Sequence, residues 1–550
     1  MQSQFLNPQR LQLGPWQAFE RIIARYLEHG GFKDVTVVGG PDDRGADIVG
    51  TFRGKNWLVQ TKFRTNKSVG KEAIQEAMSA QWDYDADVIV VVSNSGFSNS
   101  AKTLWRELKS KGFDIRLWDQ DFLLDQANNL NDFSSSRRSL RNYQKDAVSA
   151  LKSSEVSDRK KGLVTLATGL GKTVVASSFI SDYLERNPQS NILFLAHISE
   201  LVRQLDRSCW AQLSKYSETH LWTDGEKPSY ANGVTFATWQ SISYAISHGE
   251  PLESVFDVVV VDECHHAASS SYKEVIHQLA PKYLLGITAT PWRGDGESLR
   301  PLFGDPVFSM DIVQGMQEGY LAKVDYQMMV DGIDWEEIRQ LSLQGLTVKD
   351  LNKALYVPER DLGMIESIVE TIESTENPRT LVFCRSIEHA RRIQNFFRQF
   401  DISAGIIHSQ LHRSDRFKSL SSFRIGKIKV LISIEMLNEG IDVPEVNIVV
   451  FARVTHSRRI FLQQLGRGLR LSENKSHVTV LDYVADVRRI AAAVEMNSHA
   501  SSYKEKEEVN YPDGEIVKFS KYSQDFFHEY LADMADISDL DEDAQLSFPS

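Results

Sequence analysis

The amino-acid sequence predicts an α/β protein, with one unit on a mixed sheet followed by two units on parallel sheets. Two patterns carry this. From residue 140 onward, short apolar runs alternate with helix-length stretches, and they do so twice over. Runs such as Val258-Val259-Val260-Val261 are apolar on both faces, as strands covered by helices on each side must be. Size agrees: 550 residues, 42% hydrophobic and 25% charged, suffice for three or four domains of roughly 100–200 residues each.

The first unit is expected over residues 1–127. Trp16 to Leu27 has helical apolar spacing at Phe19, Ile22, Ile23, Tyr26 and Leu27. Strands are predicted at 35–38, 46–49, 57–60 and 87–92, and a helix at 102–109. Residues 128–139, rich in Asn and Ser and ending in Arg137-Arg138, read as a linker. Strands near 163–167, 192–196, 234–238, 257–261 and 284–288 build a second unit over 140–320. Strands near 324–330, 380–384, 404–407, 429–433, 447–451 and 477–481 build a third over 321–487, with a helical insertion at 332–376. Residues 488–550 form a C-terminal extension. Beyond Lys521 it carries no Lys or Arg but six acidic residues from Asp533 to Asp543, and it reads as a solvated tail.

Bulk properties exclude several classes. No apolar run approaches the ~20 residues needed to span a bilayer, and Met1-Gln2-Ser3-Gln4 lacks a signal-peptide pattern. No membrane association and a cytoplasmic location are therefore expected. Three dispersed cysteines, Cys209, Cys264 and Cys384, suggest reduced thiols and no structural zinc site. The net charge of −12 gives no general support to nucleic-acid binding, which would have to rest on a local groove.

The most informative segment is Leu166-Ala167-Thr168-Gly169-Leu170-Gly171-Lys172-Thr173. A strand enters it and a helix leaves it. Thr168, Gly169 and Gly171 form a loop whose backbone N–H groups can aim at phosphates, helped by the helix N-terminus. Lys172 neutralises β/γ-phosphate charge and Thr173 is placed to hold Mg²⁺. The strict pattern has Gly where this chain has Leu166, but the two working glycines remain. Asp262 and Glu263 end an apolar strand. Asp262 is the expected Mg²⁺ ligand and Glu263 the residue that activates the attacking water of ATP hydrolysis. Cys264 reads as small packing, and His265 either relays nucleotide state or caps a helix. Arg467 and Arg470, three apart on one expected helical face, are candidate arginine fingers.

With these motifs in order, residues 138–485 resemble a superfamily-two helicase or translocase motor, most similar to those of type I restriction enzymes. The resemblance implies two RecA-like lobes and ATP as fuel. It implies that Gln144 reads the adenine and that Ala196-His197 and the 236–241 segment contact a strand. It implies that Thr288-Ala289-Thr290-Pro291 couples hydrolysis to grip, and that Asp442 touches nucleotide. It also implies translocation on double-stranded DNA.

The N-terminal unit holds a second chemistry. Gln60 and Lys62 share one face of a strand, since side chains repeat every two residues. An adjacent strand brings Asp47, from the glycine-containing turn before it, against that pair. A carboxylate, a second oxygen ligand and a lysine suit Mg²⁺ and an attacking water, and Glu20 can complete the set. Gly30-Gly31-Phe32, Gly39-Gly40, Asp43-x-Gly45-x-Asp47, Gln60-Thr61-Lys62 and Ser95-Gly96-Phe97 resemble the Mrr-like branch of the PD-(D/E)xK restriction nucleases. That implies a restriction-endonuclease-like fold, with Asp47 and Gln60 holding metal. The combined expectation is an ATP-dependent DNA translocase coupled to a Mg²⁺-dependent DNA endonuclease, serving restriction or anti-phage defence with partner proteins. The rival is a remodelling helicase whose first unit only binds DNA or a partner.

Overall fold

The computed structural model describes residues 4–38, 45–65, 67–230, 232–265, 270–289, 299–328, 361–384, 386–408, 410–411, 413–434, 445–452, 469–471, 475, 477–483 and 517–518. It divides into two compact units, one formed by Met1–Val164, Gly171–Thr288 and Ser298–Ser309, the other by Thr165–Leu170, Ala289–Glu297 and Met310–Ser550.

The chain opens with helices α1 (Pro8–Leu13) and α2 (Trp16–His29). Strands β1 (Lys33–Val37), β2 (Ile48–Phe52) and β3 (Lys55–Lys62) follow, then α3 (Glu72–Ala80), β4 (Val88–Ser93), α4 (Asn99–Ser110), β5 (Ile115–Trp118) and α5 (Gln120–Asn128). The sheet runs β1-β2-β3-β4-β5, antiparallel over the first three strands and parallel over the last three. This is the expected mixed sheet. Arg53 and Gly54 both take positive φ, 52° and 74°, and close the β2–β3 hairpin tightly. The hairpin sets the register Ile48 against Val59, which carries Asp47 to the end of β3 where Gln60 and Lys62 lie.

Next come α6 (Asn142–Val156), β6 (Lys161–Leu166), α7 (Lys172–Arg186), β7 (Asn191–Ala196), α8 (Ser199–Trp210), β8 (Thr219–Trp222) and β9 (Gly233–Thr238). They lead to α9 (Trp239–Ser247), β10 (Val258–Asp262), α10 (Ser270–Leu279), β11 (Tyr283–Thr288), α11 (Arg300–Phe303) and β12 (Phe308–Met310). The strand order is β12-β6-β11-β10-β7-β9-β8, with parallel pairing along β11-β10-β7-β9-β8. The four valines of β10 are fully buried, as their two-sided apolarity demands.

The second unit contains α12 (Ile312–Gln317), β13 (Lys323–Met328), α13 (Asp361–Ser374), β14 (Thr380–Cys384), α14 (Ile387–Gln399) and β15 (Ala404–Ile407). It continues through α15 (Arg413–Arg424), β16 (Val430–Ile434), β17 (Ile448–Phe451), β18 (His477–Asp482) and β19 (Val517–Lys518). Its parallel sheet runs β15-β16-β14-β17-β18-β13-β19. Helix α13 falls within the expected insertion, whose residues 332–360 lie outside the described residues, as does the acidic tail. Among the described residues no helix is long and apolar enough to cross a membrane.

Inside the first unit, the N-terminal sheet domain is seated on the α8–β8 side of the parallel-sheet lobe. Trp210 at the end of α8 belongs to the same apolar cluster as Phe5, Phe19, Ile23, Val59 and Trp118. Three arginines cross the seam. Arg25, 2% exposed, donates to the Ser217 carbonyl (2.7 Å) and the Ser214 carbonyl (3.0 Å) and lies over the Phe5 ring. Arg10 donates to His220 Nδ1 (2.9 Å) and the Thr219 carbonyl (2.8 Å). Arg21 meets both carboxylate oxygens of Glu226, at 2.7 and 2.5 Å. Residues 128–139 are pinned as well. The Lys215 N–H donates to the Asp132 carbonyl (2.7 Å), and the Arg138 N–H donates to Gln212 Oε1 (3.0 Å). The segment read as a linker is thus a packed strap, because its backbone exchanges hydrogen bonds with the Lys215 N–H and the Gln212 amide of the lobe.

Candidate functional sites

The loop between β6 and α7 is shaped by its glycines. Gly169 and Gly171 adopt φ of 94° and 84°, which only glycine takes without strain. Gly171 also lies close to the entry-motif residue, since a Cβ there would sit 2.7 Å from Gln144 Nε2. Gln144 is itself held by an N-terminal capping contact, its Oε1 accepting from the Arg141 N–H (3.0 Å). Leu166 occupies the last, fully buried position of β6, which explains an apolar residue there.

Lys172, first residue of α7, forms an ion pair with Glu263 Oε1. Glu263 has φ 45°, the left-handed region that a glutamate occupies only when its surroundings hold it there. The twist at the end of β10 turns Glu263 back toward Lys172. Its other carboxylate oxygen lies 3.3 Å from His265 Nδ1, and that nitrogen also meets Thr288 Oγ1 at 2.9 Å. Burial opposes ionisation of Glu263, but the charge of Lys172 and contact with His265 outweigh it and hold its carboxyl below the ordinary range. Asp262 moves the other way: burial and then the neighbouring Glu263 charge push its carboxyl up. Two adjacent, partly buried carboxylates near one lysine favour a divalent cation, so the donor set suits Mg²⁺. Cys264 is fully buried and its thiol is pushed up by burial, which suits packing and not nucleophilic attack.

In the second unit, Arg470 forms an antiparallel bridge with Leu321, and the Ala322 N–H donates to the Leu469 carbonyl (2.8 Å). The expected helical placement of Arg470 is corrected by this backbone pairing. Arg467 and Asp442 lie outside the described residues, as do Thr290 and Pro291 of the expected coupling motif.

The N-terminal site is built at the C-terminal end of β3. Asp47 Oδ2 accepts from Gln60 Nε2 (2.8 Å), the Thr61 N–H (2.6 Å) and Thr61 Oγ1 (2.9 Å). Gln60 is 3% exposed, and its Oε1 is buried without a hydrogen-bond partner among the described residues. A buried amide oxygen in that state costs about 1–3 kcal/mol, a cost that a bound cation would remove. The donor set therefore fits a metal held by Asp47 and Gln60. Lys62 points from the same strand face to Glu76 Oε2 on α3, 2.5 Å away. Glu20 is buried on α2, which packs against β3. Two contributors escaped the sequence: Thr61, whose backbone and hydroxyl fix Asp47, and Glu76. The spacing of Ala73, Ile74, Ala77 and Ala80, all buried, was the signal for α3 and hence for Glu76.

Three family models match separate stretches of this chain. Residues 12–126 match the model of a restriction endonuclease domain. Residues 137–293 match the type III restriction enzyme res subunit, and residues 363–472 match the helicase conserved C-terminal domain. The chain is similar to the DNA 3′-5′ translocase XPB2 of Sulfurisphaera tokodaii, 26% identical over 61% of this chain and 80% of the relative. It is similar to the type I restriction enzyme EcoAI endonuclease subunit of Escherichia coli, 26% identical over 63% of this chain and 46% of that subunit. In fold it is similar to the ATP-dependent type ISP restriction-modification enzyme LlaBIII, solved bound to DNA. That likeness has a TM-score of 0.56 at 17% identity and covers 92% of this chain and 40% of that one. The chain spans 59%, 51% and 46% of the length of three curated relatives it matches.

Proposed function

We propose that this chain, which joins a restriction endonuclease domain to a two-part helicase, is an ATP-driven DNA translocase that cuts the DNA it moves on. The observation that carries the reading is the pair of separate sites in one compact unit. Lys172, Asp262 and Glu263 form one, and Asp47, Gln60 and Lys62 form the other.

In the motor, Gln144 reads the base while the Gly169–Gly171 backbone and Thr168 receive the phosphates. Lys172 pairs with Glu263. Arrival of the triphosphate draws Lys172 to the β- and γ-phosphates and leaves Glu263 to take a proton from the attacking water. Asp262 and Thr173 would hold Mg²⁺, which supplies charge neutralisation at the phosphates when bound. His265 carries the state of Glu263 to Thr288. Arg467 and Arg470 stabilise charge on the transferring phosphoryl group, and Asp442 senses nucleotide from the second lobe.

In the nuclease, Asp47 and Gln60 would hold a divalent ion, Mg²⁺ by its preference for oxygen, with Glu20 completing the set. Lys62 stabilises the negative charge that builds as water attacks the phosphodiester. Double-stranded DNA is the substrate we infer, with restriction of invading DNA in the cytoplasm, alongside partner proteins of a defence system, as the setting. All three cysteines are free and buried, which suits a reducing compartment.

Two variants test the reading. Lys172→Ala should abolish DNA-stimulated ATP hydrolysis. Lys62→Ala should keep hydrolysis within twofold and abolish plasmid cleavage. Wild-type cleavage by Lys62→Ala would overturn the nuclease assignment, whereas a wild-type protein that cuts no plasmid with a divalent metal would leave the first domain a DNA-binding module.

A further inference from the structure

Resting on the nuclease reading above, we propose that Glu76 is a metal-holding carboxylate of the N-terminal site, reaching it from α3 instead of from the strand. The strand offers a neutral amide at Gln60, so Asp47, Glu20 and Lys62 together carry only one net negative charge. Such a cluster holds a divalent cation weakly, because oxygen sites gain affinity with their count of charged ligands. Glu76 doubles that negative charge.

Geometry places it there twice. Its carboxylate meets Lys62 Nζ at 2.5 Å, on the strand face that also presents Gln60. Its backbone lies against the turn that delivers Asp47, because a Cβ added at Gly45 would overlap the Glu76 carbonyl oxygen. Gly45 has φ 89°, so the turn is shaped for this close approach. Glu76 is thus held between Lys62 and the Asp47 turn. Its side chain is half exposed and can swing without unpacking α3, whose buried face is Ala73, Ile74, Ala77 and Ala80. The independent sign of a ligand is Gln60 Oε1, buried and without a hydrogen-bond partner among the described residues. Lys62 is paired with Glu76. Glu76 would turn to a bound cation and so free the Lys62 ammonium for the phosphate.

The test is Mn²⁺ binding to the full-length protein without nucleotide, read from the electron paramagnetic resonance of the free ion. Asp47→Asn defines the component that belongs to this site. Glu76→Gln should weaken that component by about tenfold or more. Lys62→Gln, which frees Glu76, should leave it unchanged or tighten it. Cleavage by Glu76→Gln should need about tenfold more Mg²⁺ for half-maximal rate, with thermal melting unchanged. If Asp47→Asn loses the ion while Glu76→Gln binds it like wild type, Glu76 is only the ion-pair partner of Lys62 and the proposal is wrong. If Asp47→Asn binds like wild type, the nuclease reading beneath it fails first.

Discussion

Replacing Arg25 with Ala should loosen the nuclease domain from the motor lobe beneath it. The Ser217 carbonyl loses the 2.7 Å donor that Arg25 supplies, and a buried carbonyl left bare costs about 1–3 kcal/mol. The Ser214 carbonyl keeps a second donor, the Ser217 N–H at 3.1 Å, so its loss is smaller, about 0.5–1.5 kcal/mol. The guanidinium also leaves the Phe5 ring, 4.2 Å away, worth about 1 kcal/mol. Against this, truncation relieves a desolvated charge. Burial holds the Arg25 guanidinium down to about 10, opposed by the pull of Asp206. The net loss is on the order of 3 kcal/mol, or about 6 °C at ~2 °C per kcal/mol for a unit of this size. Arg25→Lys keeps the charge but not the fork that spans two carbonyls, so it should recover about half. Thermal unfolding followed by tryptophan fluorescence reads the effect, since Trp210 and Trp118 share the junction core. Trypsin should also cut faster in the strap at Arg137 and Arg138. An Arg25→Ala protein that melts within about 1 °C of wild type and resists trypsin would refute the reasoning.

Three further outcomes follow from the same geometry. Gly45→Ala should abolish DNA cleavage while sparing ATP hydrolysis, because a methyl group would strike the Glu76 carbonyl and the positive φ adds about 1–2 kcal/mol of strain; unchanged cleavage would count against the close approach. His220 is lowered well below its usual value by burial and then by the Arg10 charge, so the folded junction holds it neutral while the unfolded chain takes a proton near pH 6.5. Its contribution is complete above about pH 6.5 and is lost as pH falls, at up to about 1.4 kcal/mol per pH unit for one proton. His220→Asn should flatten the stability curve between about pH 6.5 and 5, and equal slopes in both proteins would dismiss the assignment. Chelation of divalent ions should stop hydrolysis and cleavage together, with Mg²⁺ restoring both; cleavage that persists in excess chelator would argue against a metal at Asp47 and Gln60.

Much of this molecule can be read from its linear order. Strands of parallel sheets bury both faces, so runs such as Val258–Val261 and Thr380–Cys384 announce themselves by composition. The phosphate loop is equally legible, because its chemistry needs Gly169, Gly171, Lys172 and Thr173 within a few residues of one another. Asp47, Gln60 and Lys62 could be named because one hairpin and a two-residue repeat bring them together.

Long-range packing settled the rest. Glu76 is adjacent to Lys62 only because α3 folds back against the interior strands β3 and β4, and Glu263 faces Lys172 only because β10 ends in a left-handed turn. Strand β8 went unread since Thr219 and His220 are polar, and the burial of His220 depends on Arg10 arriving from the other domain. The strap at 128–139 looked like a free linker for the same reason: its partners, Gln212 and Lys215, lie some 80 residues away along the chain. Local periodicity records what a segment buries against its own neighbours. A buried charge, a paired lysine or a pinned loop is defined by a partner elsewhere in the chain, and only folding brings the two within a hydrogen bond.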